Sequence, residues 1–104
     1  MITALARFRQ AHPRAWELIV QSSCAALHTA GAAFLIRAAH HHLNQLTGRD
    51  APPLRGWRGR RYRSERAVYL LGEVNGVGLS LAAIGHHVRR FALAVRGLPL
   101  PAGE

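Results

Sequence analysis

The sequence predicts an all-α protein: two long antiparallel helices folded as a helical hairpin, preceded by a short N-terminal helix and joined by an Arg/Gly/Pro-rich loop. Three observations predict it. No proline occurs between Pro13 and Pro52 or between Pro53 and Pro99, so helix breakers gather in one central stretch and at the ends. In the second segment Ala67, Leu70, Val74, Val77, Leu81, Ile84, Val88, Phe91 and Val95 recur at alternating spacings of three and four, an a/d repeat held for four heptads. The first segment is helical by composition, though less sharply sided than the second.

Each element has a local chemical basis. A short lead-in helix is expected over Thr3–Gln10. The first long helix is expected over about 13–47, because proline is well tolerated as a first helical residue and Gly48 stands where a helix stops. Its best apolar stripe is Trp16, Val20, Ser23, Leu27, Ala30 and Phe34, and its far side is mostly Ala. A basic loop comes next over 48–63, where Gly48, Pro52, Pro53, Gly56 and Gly59 break any period. The second long helix is expected over about 64–96, with Ser64 as N-cap and Glu65 in the first turn, ending at Gly97 and Pro99. A short tail, 97–104, completes a single domain of 104 residues. Gly78, Gly85 and Ala92 fall seven apart beside the seam, the spacing expected if another helix approaches closely there.

Two helices of roughly 33 residues are each about 50 Å long. One pair cannot bury both apolar faces, so self-association or docking on other subunits, as an oligomeric helical bundle, is expected. On this reading Leu81 and Ile84 lie at the centre of a buried seam, and Asp at either position unfolds or dissociates the bundle.

Composition narrows the function. Apolar residues are 49% of the chain, too many for a disordered basic tail. All 14 basic residues are Arg, against five acids, for a formal charge of +9. The single Cys24 excludes an internal disulfide and a zinc site built from several cysteines of one chain. No paired carboxylates, Ser/His/Asp arrangement or phosphate loop is visible, so no enzyme and no cofactor is expected.

Folding the helices back on each other collects the arginines into two basic poles. The connection gathers Arg49, Arg55, Arg58, Arg60, Arg61, Arg63 and Arg66; Arg7, Arg9 and Arg14 meet Arg89, Arg90 and Arg96 at the other end, leaving Arg37 in the middle. In the connection, guanidiniums alternate with Trp57, Tyr62 and two glycines. Guanidinium forks suit phosphate oxygens and aromatic rings stack on unpaired bases. The expected function is a non-enzymatic helical subunit contacting nucleic-acid backbone, single-stranded RNA or DNA, through Arg55, Trp57, Arg58, Arg60, Arg61, Tyr62, Arg63, Arg66, Arg89 and Arg90. Anionic lipid, an acidic protein, or a solvated loop with Trp57 packed on the helix ends are the other readings of the same residues.

Three smaller patterns have some chemistry of their own. Cys24, His28 and His87 come near each other by hairpin pairing and have ligand chemistry, but surface or interface histidines with a small buried cysteine is the plainer reading. Arg37-Ala-Ala-His-His-His42 resembles the Arg-x4-His spacing of the HEPN ribonucleases, which are helical and dimeric; Ala38 stands where that family commonly has a polar residue. Trp57-Arg-Gly59 resembles the turn of the secreted helical-hairpin proteins with a Trp-x-Gly motif, over three residues only. The Tyr69-Leu-Leu-Gly-Glu73 spacing of their export signal falls in mid-helix here.

The rival to a soluble hairpin is a membrane hairpin, an accessory subunit of a membrane complex. Leu18–Ile36 carries no formal charge and Ala67–Gly85 carries only Glu73, and arginines flank both. Gly72-x-x-x-Gly76 has the spacing of a membrane helix-packing motif. Against this stand Gln21, Ser22, Ser23, His28, Thr29 and Asn75 within the windows, and nearly equal positive charge at the two poles, which selects no orientation. The seam also continues past the second window. No secretion signal is evident, so a cytoplasmic location is expected, with the inner membrane as the alternative.

Overall fold

A computed structural model describes residues 3–48 and 51–99; Arg49 and the last five residues of the expected tail lie outside them. Three helices come in order: α1 (Ala4–Ala11), α2 (Pro13–Leu46) and α3 (Gly56–Val95). The two long helices pack against each other as a helical hairpin. The chain divides into two compact units, one of Met1–Thr29 with Ala82–Glu104 and one of Ala30–Leu81.

In the first unit, Thr3 caps α1, its Oγ1 accepting from the Ala6 amide at 3.1 Å. The helical hydrogen bonding is almost continuous across His12, whose amide donates to Phe8 and whose carbonyl accepts from Trp16. Yet His12 leaves helical geometry, with φ −134° and ψ 65°. Pro13 is the cause, because its ring crowds the preceding residue out of the α region. The far end of α3 closes in a Schellman turn: Leu98 N donates to Leu93 O, Gly97 N donates to Ala94 O, and Gly97 takes φ +69°. Arg14 fastens this end, donating to the last-turn carbonyls of Ala94 and Val95.

In the second unit, α2 ends as expected before Gly48, which adopts φ +94°. Helix α3 starts at Gly56, eight residues before the expected Ser64. Gly59, expected as a breaker, is instead a contact glycine. A Cβ there would lie 2.8 Å from the Leu54 carbonyl oxygen, so only glycine lets the incoming chain cross this turn. The arginines between the glycines are good helix formers, and Arg61 supports the helix through an i, i+4 pair with Glu65.

The largest departure from expectation is the seam. On α3, Leu70, Val77, Ile84 and Phe91 are half-buried, as the repeat requires. Their alternates are not Val74, Leu81, Val88 and Val95, all of which are exposed, Leu81 at 59%. The inward alternates are Glu73, Ser80, His87 and Ala94, one residue earlier in each case, while at the start of the seam Arg66 and Ala67 are both half-buried. On α2 the expected stripe holds at Trp16 and Val20, which are half-buried, and fails from Ser23 onward. Leu27 and Phe34 are 73% and 71% exposed, while Glu17, Gln21, Cys24, His28, Leu35 and His42 turn inward. Complementary polar partners on the two helices hold this frame, and an apolar-only repeat count cannot see them.

Glycine placement obeys the same rotation. Gly76 takes the close approach within the hairpin, since a Cβ on it would meet Leu35 Cδ1 at 2.8 Å. Around Gly78 and Gly85, where the spacing predicts a neighbouring helix, no atom comes within 4 Å of the position a Cβ would occupy.

Candidate functional site

Side chains with chemistry fall into three sets. The first is the inward polar row of the first unit. Arg90 donates from Nε and Nη2 to Glu17 Oε1, at 3.2 and 3.1 Å, with only 12% and 20% of the two side chains exposed. Glu17 also accepts from Gln21 Nε2 at 2.8 Å. Gln21, 6% exposed, turns its Oε1 to the His87 ring, which stacks on His28 with centroids 5.6 Å apart. Cys24 is half-buried nearby in sequence, but no group of three His, Cys, Asp or Glu side chains among the described residues could hold a metal ion. Hairpin pairing thus brings His28 and His87 together without assembling a ligand set.

The second set is the inward row of the second unit. His42 Nδ1 lies 2.6 Å from Glu73 Oε1, an ion-pair contact whose angles are not those of a hydrogen bond. The His42 ring also touches Tyr69, and the Arg66 guanidinium lies over Tyr62 and Tyr69, 4.5 and 5.6 Å from their centroids. Glu73 Oε2, Gln45 Oε1 and Arg66 Nε are buried without a hydrogen-bond partner. Arg37, with its neighbour Phe34, lines an open depression on α2 that His41 also borders, and no acid from α3 joins them there.

The third set is the basic, aromatic start of α3. Eight of the ten expected contact residues lie here, in the second unit; Arg89 and Arg90 lie in the first. Trp57 is 61% exposed and Arg58 stands over its ring at 5.5 Å. Trp57, Arg58, Arg61, Tyr62 and Glu65 line a shallow groove. Arg55, Arg60 and Arg63 are exposed, Arg60 and Arg63 on the far side of the helix from the groove. Arg66 is drawn inward over its two tyrosines, and Arg90 is turned to Glu17, so neither presents a free fork to a ligand. The Arg61–Glu65 pair, by contrast, is open to solvent and exchangeable.

Around these sets runs exposed apolar surface. Ile36 and Leu27 project from opposite sides of α2, and Leu79 and Leu81 from nearly opposite sides of α3, and all four are exposed. No large side chain is fully buried anywhere among the described residues. Both long helices are long and apolar enough to cross a membrane, and of their most apolar windows 11% is buried in α2 and 0% in α3. Compared with models of protein families, with curated proteins and with solved structures, the chain finds no match.

Proposed function

We propose that the chain is a non-enzymatic two-helix membrane hairpin, an accessory subunit of a membrane assembly whose arginine-rich start of α3 lies at the membrane surface. One observation carries the reading: large apolar side chains point outward on several sides of both helices, while Glu17 and Glu73 turn inward to Arg90 and His42. Water favours the reverse arrangement, with charge outside and contiguous apolar patches kept small. Hydrocarbon favours this one, because intramembrane polar groups are tolerated where they face a partner helix and bond to it. The charge-free stretch Leu18–Ile36 is about 28 Å long as helix, close to the hydrocarbon thickness of a bilayer. Trp16 near one end of α2, and Trp57, Tyr62 and Tyr69 toward the start of α3, suit the aromatic belts of membrane interfaces. A soluble protein would have to cover Val74, Leu81 and Val88 against another subunit, since all three are exposed on the hairpin.

Fractionation of expressing cells tests the proposal. The chain is expected in the membrane pellet and to stay there through alkaline carbonate extraction. Recovery in the soluble fraction as a defined oligomer overturns it.

A second reading keeps the expected nucleic-acid contact, favoured by the exposed Trp57 among exposed arginines. If it holds, affinity for single-stranded oligonucleotides falls with salt at a slope of about 0.7 per neutralised phosphate, and Gln at Arg58, Arg60, Arg61 and Arg63 flattens that slope.

A further inference from the structure

We infer that the groove formed by Trp57, Arg58, Arg61 and Tyr62 is a binding site for the headgroup of an anionic phospholipid; the inference rests on the membrane reading and names the partner of that surface. The four residues recur at spacings of one, three and four, so they share one side of the first turns of α3. Two guanidiniums three residues apart can hold one phosphodiester from two sides, each through parallel N–H donors. Arg58 is steadied over the Trp57 ring at 5.5 Å, and Arg61 is held by Glu65 in a single exposed contact that a phosphate can displace. Trp57 and Tyr62 contribute rings with a polar edge, the side chains that settle at the boundary between headgroups and acyl chains.

The surface beyond the groove along α3 separates a lipid from other phosphates. Arg66 is already bound over Tyr62 and Tyr69, which closes the run of open guanidiniums. Val68 and Leu71 come next, both exposed. Within about four turns the helix therefore runs from Trp57 and the two arginines, through Tyr62 and Glu65, to the bare aliphatic Val68 and Leu71. A phospholipid has that order of chemistry: phosphate, glycerol ester, acyl chain. A nucleic-acid strand offers phosphate and base but nothing to cover Val68 and Leu71.

The test uses the full chain carrying Trp16→Phe, which leaves Trp57 as the only tryptophan. In phosphocholine detergent micelles it is titrated with phosphatidylglycerol or with phosphatidylcholine while Trp57 emission is tracked. Phosphatidylglycerol is expected to shift the emission saturably, and phosphatidylcholine to leave it nearly unchanged. Arg58→Gln and Arg61→Gln should each weaken the phosphatidylglycerol response about fivefold, the effect of one arginine near an anionic surface. Arg7→Gln with Arg9→Gln, a control in the first unit, should leave it unchanged. Far-ultraviolet circular dichroism confirms that each variant keeps its helices. Equal responses to the two lipids, or a response indifferent to Arg58→Gln and Arg61→Gln, overturns the headgroup site. A single-stranded oligonucleotide that shifts Trp57 emission when phosphatidylglycerol does not overturns it in favour of nucleic acid. Membrane integration is read separately, by flotation with phosphatidylcholine vesicles after carbonate treatment; failure there overturns the membrane reading itself.

Discussion

Single residues decide how tightly and in which frame the hairpin closes. Gly76 and Gly78 are two residues apart in the same helix, yet only Gly76 has a neighbour, the Leu35 methyl. Gly76→Val should therefore destabilise the hairpin by about 1–3 kcal/mol through overpacking. Gly78→Ala should stabilise it by up to about 1 kcal/mol through helix propensity. Thermal melts in detergent micelles check both, and adding Leu35→Ala should relieve much of the Gly76→Val penalty. His42 and Glu73 invite a double-mutant cycle. Each is mostly buried, at 20% and 13% side-chain exposure, so removing one leaves the other without its counterpart. Leu at both positions should be more stable than Leu at either alone, with a coupling of about 0.5–3 kcal/mol. Zero coupling would mean that the contact contributes nothing to the fold. These positions are only partly legible from sequence. The meeting of His28 and His87 can be found by counting back from the connection, whereas the Glu73–His42 and Glu17–Arg90 contacts depend on which way each helix is turned.

Helix existence is the most legible feature, and helix frame the least. Pro13, Gly48 and Gly97 mark three of the four long-helix ends correctly because each acts locally, through a fixed φ or through access to positive φ. The start of α3 escapes sequence reading because Gly59 serves a contact with Leu54, a tertiary event that propensity does not encode. The heptad repeat likewise carries the period of the α3 interface and half of its residues. Leu81 and Ile84 now separate the readings. Leu81 is exposed on the hairpin, so in a soluble monomer Leu81→Asp should be nearly neutral or should improve solubility, and in a soluble oligomer that covers it the change should dissociate the subunits. In a membrane hairpin the same change places a carboxylate against lipid and should cost about 2.5–3.5 kcal/mol of insertion free energy. An insertion assay with a glycosylation reporter measures it, and unchanged insertion argues against the bilayer. Ile84→Asp, half-buried in the inward row, should weaken the hairpin in either setting.

At the scale of the whole molecule, composition alone leaves the orientation open, since arginine is almost evenly divided between the two ends of the hairpin. Side-chain commitments tilt the balance slightly towards the connection. In the first unit, Arg14 is spent on the carbonyls of Ala94 and Val95 and Arg90 on Glu17, while Arg7, Arg9, Arg89 and Arg96 are exposed. In the second unit five are exposed, Arg55, Arg58, Arg60, Arg61 and Arg63. If uncommitted positive charge is what resists translocation, the connection stays in the cytoplasm and both termini cross. In a Cys24→Ser background, a cysteine at Ser64 should resist a membrane-impermeant maleimide added to intact cells. One at Leu98 should react. The opposite pattern would show that total arginine count, not its availability, sets the orientation.

By itself the sequence determined an all-helical chain, the hairpin plan, most of the helix ends and the arginine-aromatic cluster between the two long segments, because each of these arises from local backbone preference or from residues adjacent in the chain. The tertiary structure decided which residues face inward. A repeat of three and four fits two neighbouring frames on the same helix, one apolar and one polar, and apolar counting favours the first. Pairing Glu17 with Arg90, Gln21 with His87 and Glu73 with His42 selects the second. These partners lie far apart in sequence, so their mutual fit exists only once the two helices meet.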